Sequence, residues 1–157
     1  MILLYYFVVG KVIAKNKKAR FDYEILDSLE AGIALKGYEV KSIREGKVSI
    51  KEAYAKIISG ELWLVGANIN RFKNYTGKDY DPTRSRKLLV KKSELNKLTG
   101  KVKEKGLTLV PLSLYIKNKK LVKVEIGIGR GKKKFDKRET IKKRQIDREV
   151  RRKFGRS

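Results

Sequence analysis

Apolar and polar residues alternate with a period of two from the start of the first well-patterned segment: Phe21, Tyr23 and Ile25 are interleaved with Asp22 and Glu24, and Ala31, Ile33 and Leu35 carry the pattern on. That alternation predicts a half-buried strand, with Gly32 and Gly37 marking a bend or bulge. From Tyr38 to Arg44 the spacing becomes helical. Val40 and Ile43 fall on one face, Lys41 and Arg44 on another, and Gly46 closes the helix. Tyr54 to Ile58 and Leu62 to Ala67 predict two strands joined through Ser59-Gly60, and Tyr75 to Arg86 reads as a turn-rich, charged loop. Ser93 is the expected cap of a helix carrying Leu95, Leu98 and Val102, stopped by Gly106. Leu107 to Lys117 and Leu121 to Ile128 flank Asn118-Lys119-Lys120 as a second hairpin. The sum is a mainly β domain with two or three short helices and no internal repeat. About six short strands with glycine corners predict a closed antiparallel barrel.

Three segments follow. Residues 1–11 begin with the apolar run MILLYYFVV, which lacks a preceding basic region and a small-residue cleavage site, and is about half the ~20 residues of a membrane span. They are expected to be an extension without a targeting role, a buried first strand being the competing reading. Residues 12–129 form the barrel. Residues 130–157 are a basic tail with fourteen Lys and Arg against four Asp and Glu. Its apolar content is limited to Phe135, Ile141, Ile146, Val150 and Phe154, too little to fold alone. Phe135, Ile146, Val150 and Phe154 nevertheless share one helical side, and Glu139/Lys143, Asp147/Arg151 and Glu149/Lys153 are favourable i,i+4 pairs. The expectation is a tail disordered when free and helical when docked.

Charge narrows the function. The 157 residues carry 41 Lys and Arg, 17 Asp and Glu and a net charge of +24, so the natural partner is a polyanion, bound with strong salt dependence. An anionic membrane surface competes by the same attraction. With no His and no Cys, zinc knuckles, disulfides, thiol nucleophiles and the commonest general base are excluded. A metal-dependent nuclease would have to use Asp79, Asp81 and Glu94, which lie in a turn-rich loop and a helix start among many cations. The expected protein is therefore a binder with no catalytic residue, no metal and no cofactor, and a closed barrel that binds RNA suggests the OB type.

Five strings occur in order: Asn16-Lys-Lys-Ala-Arg20, Glu30-Ala-Gly-Ile-Ala-Leu35, Gly37-Tyr-Glu-Val-Lys-Ser-Ile-Arg44, Asp81-Pro-Thr-Arg-Ser-Arg-Lys-Leu-Leu89 and Gly131-Lys-Lys-Lys-Phe-Asp-Lys-Arg138. At this spacing the chain resembles the SmpB family of SsrA-binding proteins of bacterial trans-translation, from about Val12 to Phe154. The resemblance implies an OB-like barrel that cradles the tRNA-like domain of transfer-messenger RNA, and a basic tail that enters the decoding site and messenger channel of the small subunit of a stalled bacterial ribosome. It also implies a cytoplasmic monomer that does not act at a membrane. Tyr38, Tyr80, Lys91 and Phe135 depart from the residues common at their positions.

The resemblance places Asn16, Glu30, Leu89 and Lys123 on the RNA-facing surface, and Lys18 and Arg20 of the first string are expected to bind RNA beside them. A carboxylate repels phosphate, so Glu30 there must accept hydrogen bonds from base or ribose donors or orient a cation; a salt bridge to a lysine is the plainer reading. Lys41 and Arg44, three apart on a helix, can reach phosphates together. Arg84, Arg86 and Lys87 form a basic run at a strand entrance, suited to phosphate or simply solvated. Tyr54 and Trp63 could stack on bases, although strand aromatics are more often core. In the tail, Gly131, Lys132, Lys133 and Lys134 form a hinge, Phe135 offers a ring, Asp136, Lys137 and Arg138 form a short motif at a helix start, and Ile146 lies on the apolar side. A generic ribosomal or translation-factor protein that packs on ribosomal RNA is the alternative that composition alone leaves open.

Overall fold

The computed structural model describes residues 10–154, and within them every side chain except those of Lys134, Phe135, Asp136 and Phe154. Strand β1 (Lys11–Lys15) leads into a short helix α1 (Lys17–Asp22) and the long strand β2 (Tyr23–Ile33). Helix α2 (Gly37–Arg44), β3 (Val48–Ser49), β4 (Tyr54–Ile58), β5 (Glu61–Val65), β6 (Asn68–Ile69) and β7 (Arg86–Leu89) follow. Helix α3 (Lys92–Lys105) precedes the hairpin of β8 (Thr108–Lys117) and β9 (Leu121–Gly131), and α4 (Lys134–Phe154) ends the described chain.

Six strands pair in a ring, β8–β4–β5–β7–β2–β9 and back to β8, all antiparallel. Strand β1 shares the β4 edge of β8, and β3 pairs with β6 in a separate two-stranded ladder. Period-two alternation fills the interior: Leu62 and Leu64 of β5, Leu88 of β7, Leu114 of β8 and Val124 and Ile126 of β9 are all buried. Helix α2 adds Ile43 and α3 adds Leu98 to the same core. The β4–β5 turn has Ser59 and Gly60 both at positive φ, the twist that a two-residue hairpin requires. Asn118 and Lys119 do the same between β8 and β9.

Three expectations change. The strand expected from Phe21 begins at Tyr23, because residues 17–22 are helical. Helix α3 starts two residues earlier than expected, with Lys91 rather than Ser93 at its cap, while Gly106 stops it in the left-handed conformation. The first nine residues of the expected extension lie outside the described residues, but Lys11 already belongs to β1 and pairs with Ile116.

The reason for α1 is non-local. Strand β8 bulges between Pro111 and Ser113, so Leu112 is the extra residue, and its side chain presses on Gly127, where a Cβ would come within 2.9 Å. The bulge presents two carbonyls towards β1. Asn16 takes both: its backbone N–H donates to Leu112 O (2.8 Å) and its Nδ2 to Pro111 O (3.0 Å), while its Oδ1 accepts from Ala19 N (3.2 Å) and caps α1.

Candidate nucleic-acid interface

Gly32 in β2 pairs with Leu89 in β7 on one side and with Lys123 in β9 on the other, so the three lie in one row across the outer face of the sheet. Glycine leaves a trough there. A Cβ at Gly32 would stand 3.3 Å from Leu89 Cβ and 3.6 Å from Lys123 Nζ. Leu89 is 52% exposed beside the trough, an isolated apolar surface that a base or ribose can cover. Val90, Lys91 and Glu94 complete the rim.

Glu30, two residues before Gly32 on the same face, accepts hydrogen bonds from Tyr115 Oη (2.5 Å) and Lys117 Nζ (3.1 Å). Partial burial pushes its carboxyl up, but the Tyr115 and Lys117 hydrogen bonds and the charges of Lys117 and Lys123 outweigh this and hold it below the ordinary carboxylate range. Across from it, Glu125 accepts from Ser113 Oγ (3.1 Å). The patch thus alternates anchored carboxylates with cations. Such an arrangement can accept hydrogen bonds from bases or ribose while Lys123 meets phosphate. Tyr115 and Lys117 were not foreseen in the sequence, because only the register of β8 on β9 and of β9 on β2 brings them to Glu30.

Lys87 lies outward on β7, opposite Trp63, and pairs with Glu61 (3.2 Å). Trp63 is half-buried and Tyr54 is 46% exposed. Arg86 departs from the expected phosphate role. The strand begins at Arg86 itself, so Arg86 shares the inward face with Leu88 and is fully buried. Its Nε donates to Glu39 Oε2 (2.7 Å), Nη1 to Ala67 O (2.8 Å) and Nη2 to Pro82 O (3.0 Å). Arg84 bonds the other Glu39 oxygen (2.5 Å) and keeps only part of its side chain in solvent. Asn16 is likewise buried and committed to the β8 bulge; it positions Lys18 and Arg20, which are exposed on α1.

Lys41 and Arg44 are exposed on α2, whose opposite side buries Glu39, Ser42 and Ile43. Lys41 Nζ lies 5.5 Å from the centre of the Phe72 ring. Beside it Tyr38, Tyr75 and Tyr80 form a cluster with ring centres 4.3 to 5.9 Å apart, and Tyr80 Oη donates to Ile69 O. Burial and the neighbouring Glu39 carboxylate push the Tyr80 phenol up, so it stays a donor. This trio gives the charged loop an aromatic floor that the sequence pattern did not announce.

In the tail, Gly131 is still in β9, two residues past the expected end of the barrel, and the helix starts at Lys134. The side chains of Lys134, Phe135 and Asp136 lie outside those described. Arg138 and Ile146 are exposed, Ile146 by 60%, and Lys137 pairs with Asp22 (3.3 Å). Asp81 caps its own turn by accepting from Thr83 N (3.0 Å), and among the described residues no cluster of three acidic groups could hold a metal. No described helix is long and apolar enough to cross a membrane.

Comparison with known proteins bears on the same span. Residues 13–156 match the family described as SmpB protein. The SsrA-binding protein of Thermosipho melanesiensis is 51% identical over 141 residues, 90% of this chain and 96% of that protein. That of Geobacillus thermodenitrificans is 51% identical over 145 residues, covering 92% and 93% of the two chains. A chain in a solved structure described as "tmRNA-SmpB: a journey to the center of the bacterial ribosome" is 50% identical and superposes with a TM-score of 0.63 over 76% of this chain and 84% of that one.

Proposed function

Because the chain belongs to the SmpB protein family, we propose that it binds the tRNA-like domain of transfer-messenger RNA and delivers it to stalled ribosomes for trans-translation. The observation that carries this reading is the trough of Gly32 between Leu89 and Lys123, with Glu30 anchored beside it. It combines an apolar surface, a cation and a fixed acceptor, which suits an irregular RNA fold rather than a uniform duplex. The ring of strands serves as an OB-like closed barrel, with the chain from β1 to β9 covering residues 11–131. Lys18, Arg20, Lys41, Arg44, Arg84 and Lys87 add phosphate contacts around the trough. The tail, from Lys132 onward, occupies the decoding site and messenger channel. Its distal turns become stably helical there, since Ile146 and Val150 are exposed on the chain itself and a helix draws most of its stability from packing such an apolar face. The protein acts as a cytoplasmic monomer, without cofactor or catalysis.

Competition of transfer-messenger RNA against ordinary tRNA and duplex RNA tests the proposal. Binding equal for all three would leave only a generic RNA-binding protein. Glu30→Ala and Lys123→Ala are each expected to weaken the transfer-messenger RNA complex by roughly tenfold to a hundredfold, the scale of a hydrogen bond to a charged group. Both variants should remain folded, because neither side chain is part of the buried core, although Glu30→Ala also removes the acceptor of Tyr115 Oη. Two variants that bind like the parent would rule out this face as the contact.

Salt dependence provides a second measurement. The logarithm of affinity should fall by about 0.7–0.9 per phosphate neutralised for each tenfold rise in salt. A flat response between low and physiological salt would contradict binding through the basic surface.

A further inference from the structure

Glu30 and Glu125 stand directly opposite each other on β2 and β9, and both point outward, since their neighbours Ala31, Val124 and Ile126 are buried in the core. Like charges in cross-strand register destabilise a sheet. Strand β8, on the far side of β9, supplies the compensation. Its outward residues are Ser113, Tyr115 and Lys117, of which Ser113 is in register with Glu125 and Tyr115 with Lys123. Ser113 Oγ donates to Glu125 Oε2 (3.1 Å). Tyr115 Oη and Lys117 Nζ reach across β9 to Glu30, the phenol to Oε2 (2.5 Å) and the ammonium to Oε1 (3.1 Å). The Tyr115 side chain is packed in place, with the residue 3% exposed, so its hydroxyl is aimed from a fixed frame. Lys123 is the diagonal neighbour of Glu30 on the adjoining strand, yet its Nζ lies over Gly32, 3.6 Å from where a Cβ would stand.

Opposite charges at diagonal positions on paired strands attract. A Glu30–Lys123 pair would lay the lysine stem across the trough and cancel both charges. We propose that Tyr115 and Lys117 are positioning residues for RNA recognition: they draw Glu30 towards β8, so that the carboxylate and the Lys123 ammonium stay apart and meet different groups of the RNA. The role rests on the reading of this face as the RNA contact. A carboxylate has about four acceptor sites, which the two β8 donors do not fill, so Glu30 can still accept from the N–H or O–H of an unpaired base or a ribose. Lys123 meets phosphate over the trough. The titratable and charged groups around Glu30 are Tyr115 and Lys117 from β8, Lys123 and Glu125 from β9, and Lys91 and Glu94 at the rim. Against the upward push of burial, the Tyr115 and Lys117 hydrogen bonds and the charges of Lys117 and Lys123 hold the carboxyl below its ordinary range.

Tyr115→Phe and Lys117→Met in the full-length chain, each alone and combined with Glu30→Ala, test the role. Phenylalanine keeps the buried ring and removes only the hydroxyl, and Lys117 is a partly exposed surface side chain. Carbon-13 NMR of the Glu30 carboxyl without RNA should show its titration moving up towards the ordinary glutamate range in both single variants, which a purely structural tyrosine would not produce. Affinity for transfer-messenger RNA, read by gel shift, should fall roughly fivefold to tenfold in Tyr115→Phe, the scale of one hydrogen bond. In the Glu30→Ala background Tyr115→Phe should cause no further loss, and Lys117→Met a smaller loss than in the parent. A Glu30 titration unmoved by either substitution, parent-like affinity in Tyr115→Phe, or a Tyr115→Phe loss that persists in full without Glu30 would each overturn the role. Failure of the face itself is separately visible: Glu30→Ala then binds like the parent and the role falls with it. Weak binding by Glu30→Ala beside parent-like binding by Tyr115→Phe removes the role alone.

Discussion

A chain carrying Glu39→Ala is expected to lose about 3–5 kcal/mol of stability, the cost of removing one partner from a buried ion pair. Arg86 and Glu39 side chains are 0% and 1% exposed, so the orphaned guanidinium has no solvent to turn to. Arginine keeps its charge at any relevant pH, whereas a carboxylate can take up a proton. Arg86→Met should therefore be the milder of the two. It leaves Glu39 with the Lys36 N–H (2.9 Å) and Arg84, and the option of becoming neutral. Replacing both residues with Met should recover much of the loss, because the unpaired charge is gone. For a chain of this length each kcal/mol moves the melting temperature by roughly 2–4 °C, so Glu39→Ala should melt roughly 6–20 °C below the parent.

The pH dependence has a definite sign. Burial pushes the Glu39 carboxyl up, but the Lys36 N–H and the Arg84 and Arg86 guanidinia outweigh it, and the folded pKa lies below the ordinary value of 4.5. Glu39 thus contributes stability that is fully present above about pH 4.5 and is lost as the pH falls through its lowered folded value. Thermal melts of the parent should drop in that acid range, and Glu39→Gln should remove this component of the drop. A Glu39→Ala chain that melts with the parent would show that the pair is dispensable to the fold.

Local chemistry made parts of this molecule legible in the sequence and non-local contacts hid the rest. The hairpins at Ser59-Gly60 and Asn118-Lys119 could be read because the residues that accept positive φ sit in the turn itself. Helix α3 could be read because Leu95, Leu98 and Val102 recur at helical spacing before Gly106. Helix α1 could not, since its start is fixed by carbonyls 95 and 96 residues away, and the alternation at Phe21 and Tyr23 imitated a strand. The same limit applies to the site. Glu30, Leu89 and Lys123 came from a family resemblance, but the trough between them depends on Gly32 pairing on both edges, and Glu30's partners lie 85 and 87 positions along the chain. Arg86 was read as a phosphate contact, or simply solvated, because it stands in the polar run Thr83 to Lys87 before Leu88; moving the strand start to Arg86 puts it on the Leu88 face. A basic run near a strand entrance has to be divided by the period of two before its charges are assigned to RNA.

The largest functional effect is expected from the tail. A chain ending at Gly131 retains all of β9, so it should stay folded and keep much of its affinity for transfer-messenger RNA, yet its tagging of peptides on stalled ribosomes should fall to background. Truncation also removes thirteen of the 41 Lys and Arg, so a loss of bulk attraction is the competing cause. Changing Asp136, Lys137 and Arg138 together to Ala separates the two. That variant lowers the net charge by only one, leaves the barrel untouched and should still reproduce most of the tagging defect. Gel-shift binding to transfer-messenger RNA and peptide tagging in a purified translation system are the two readouts. Normal tagging by the truncated chain would remove the decoding-site role. Loss of all RNA binding on truncation would make the tail an ordinary phosphate anchor, and a triple variant that tags normally would trace the truncation defect to charge rather than to Asp136, Lys137 and Arg138.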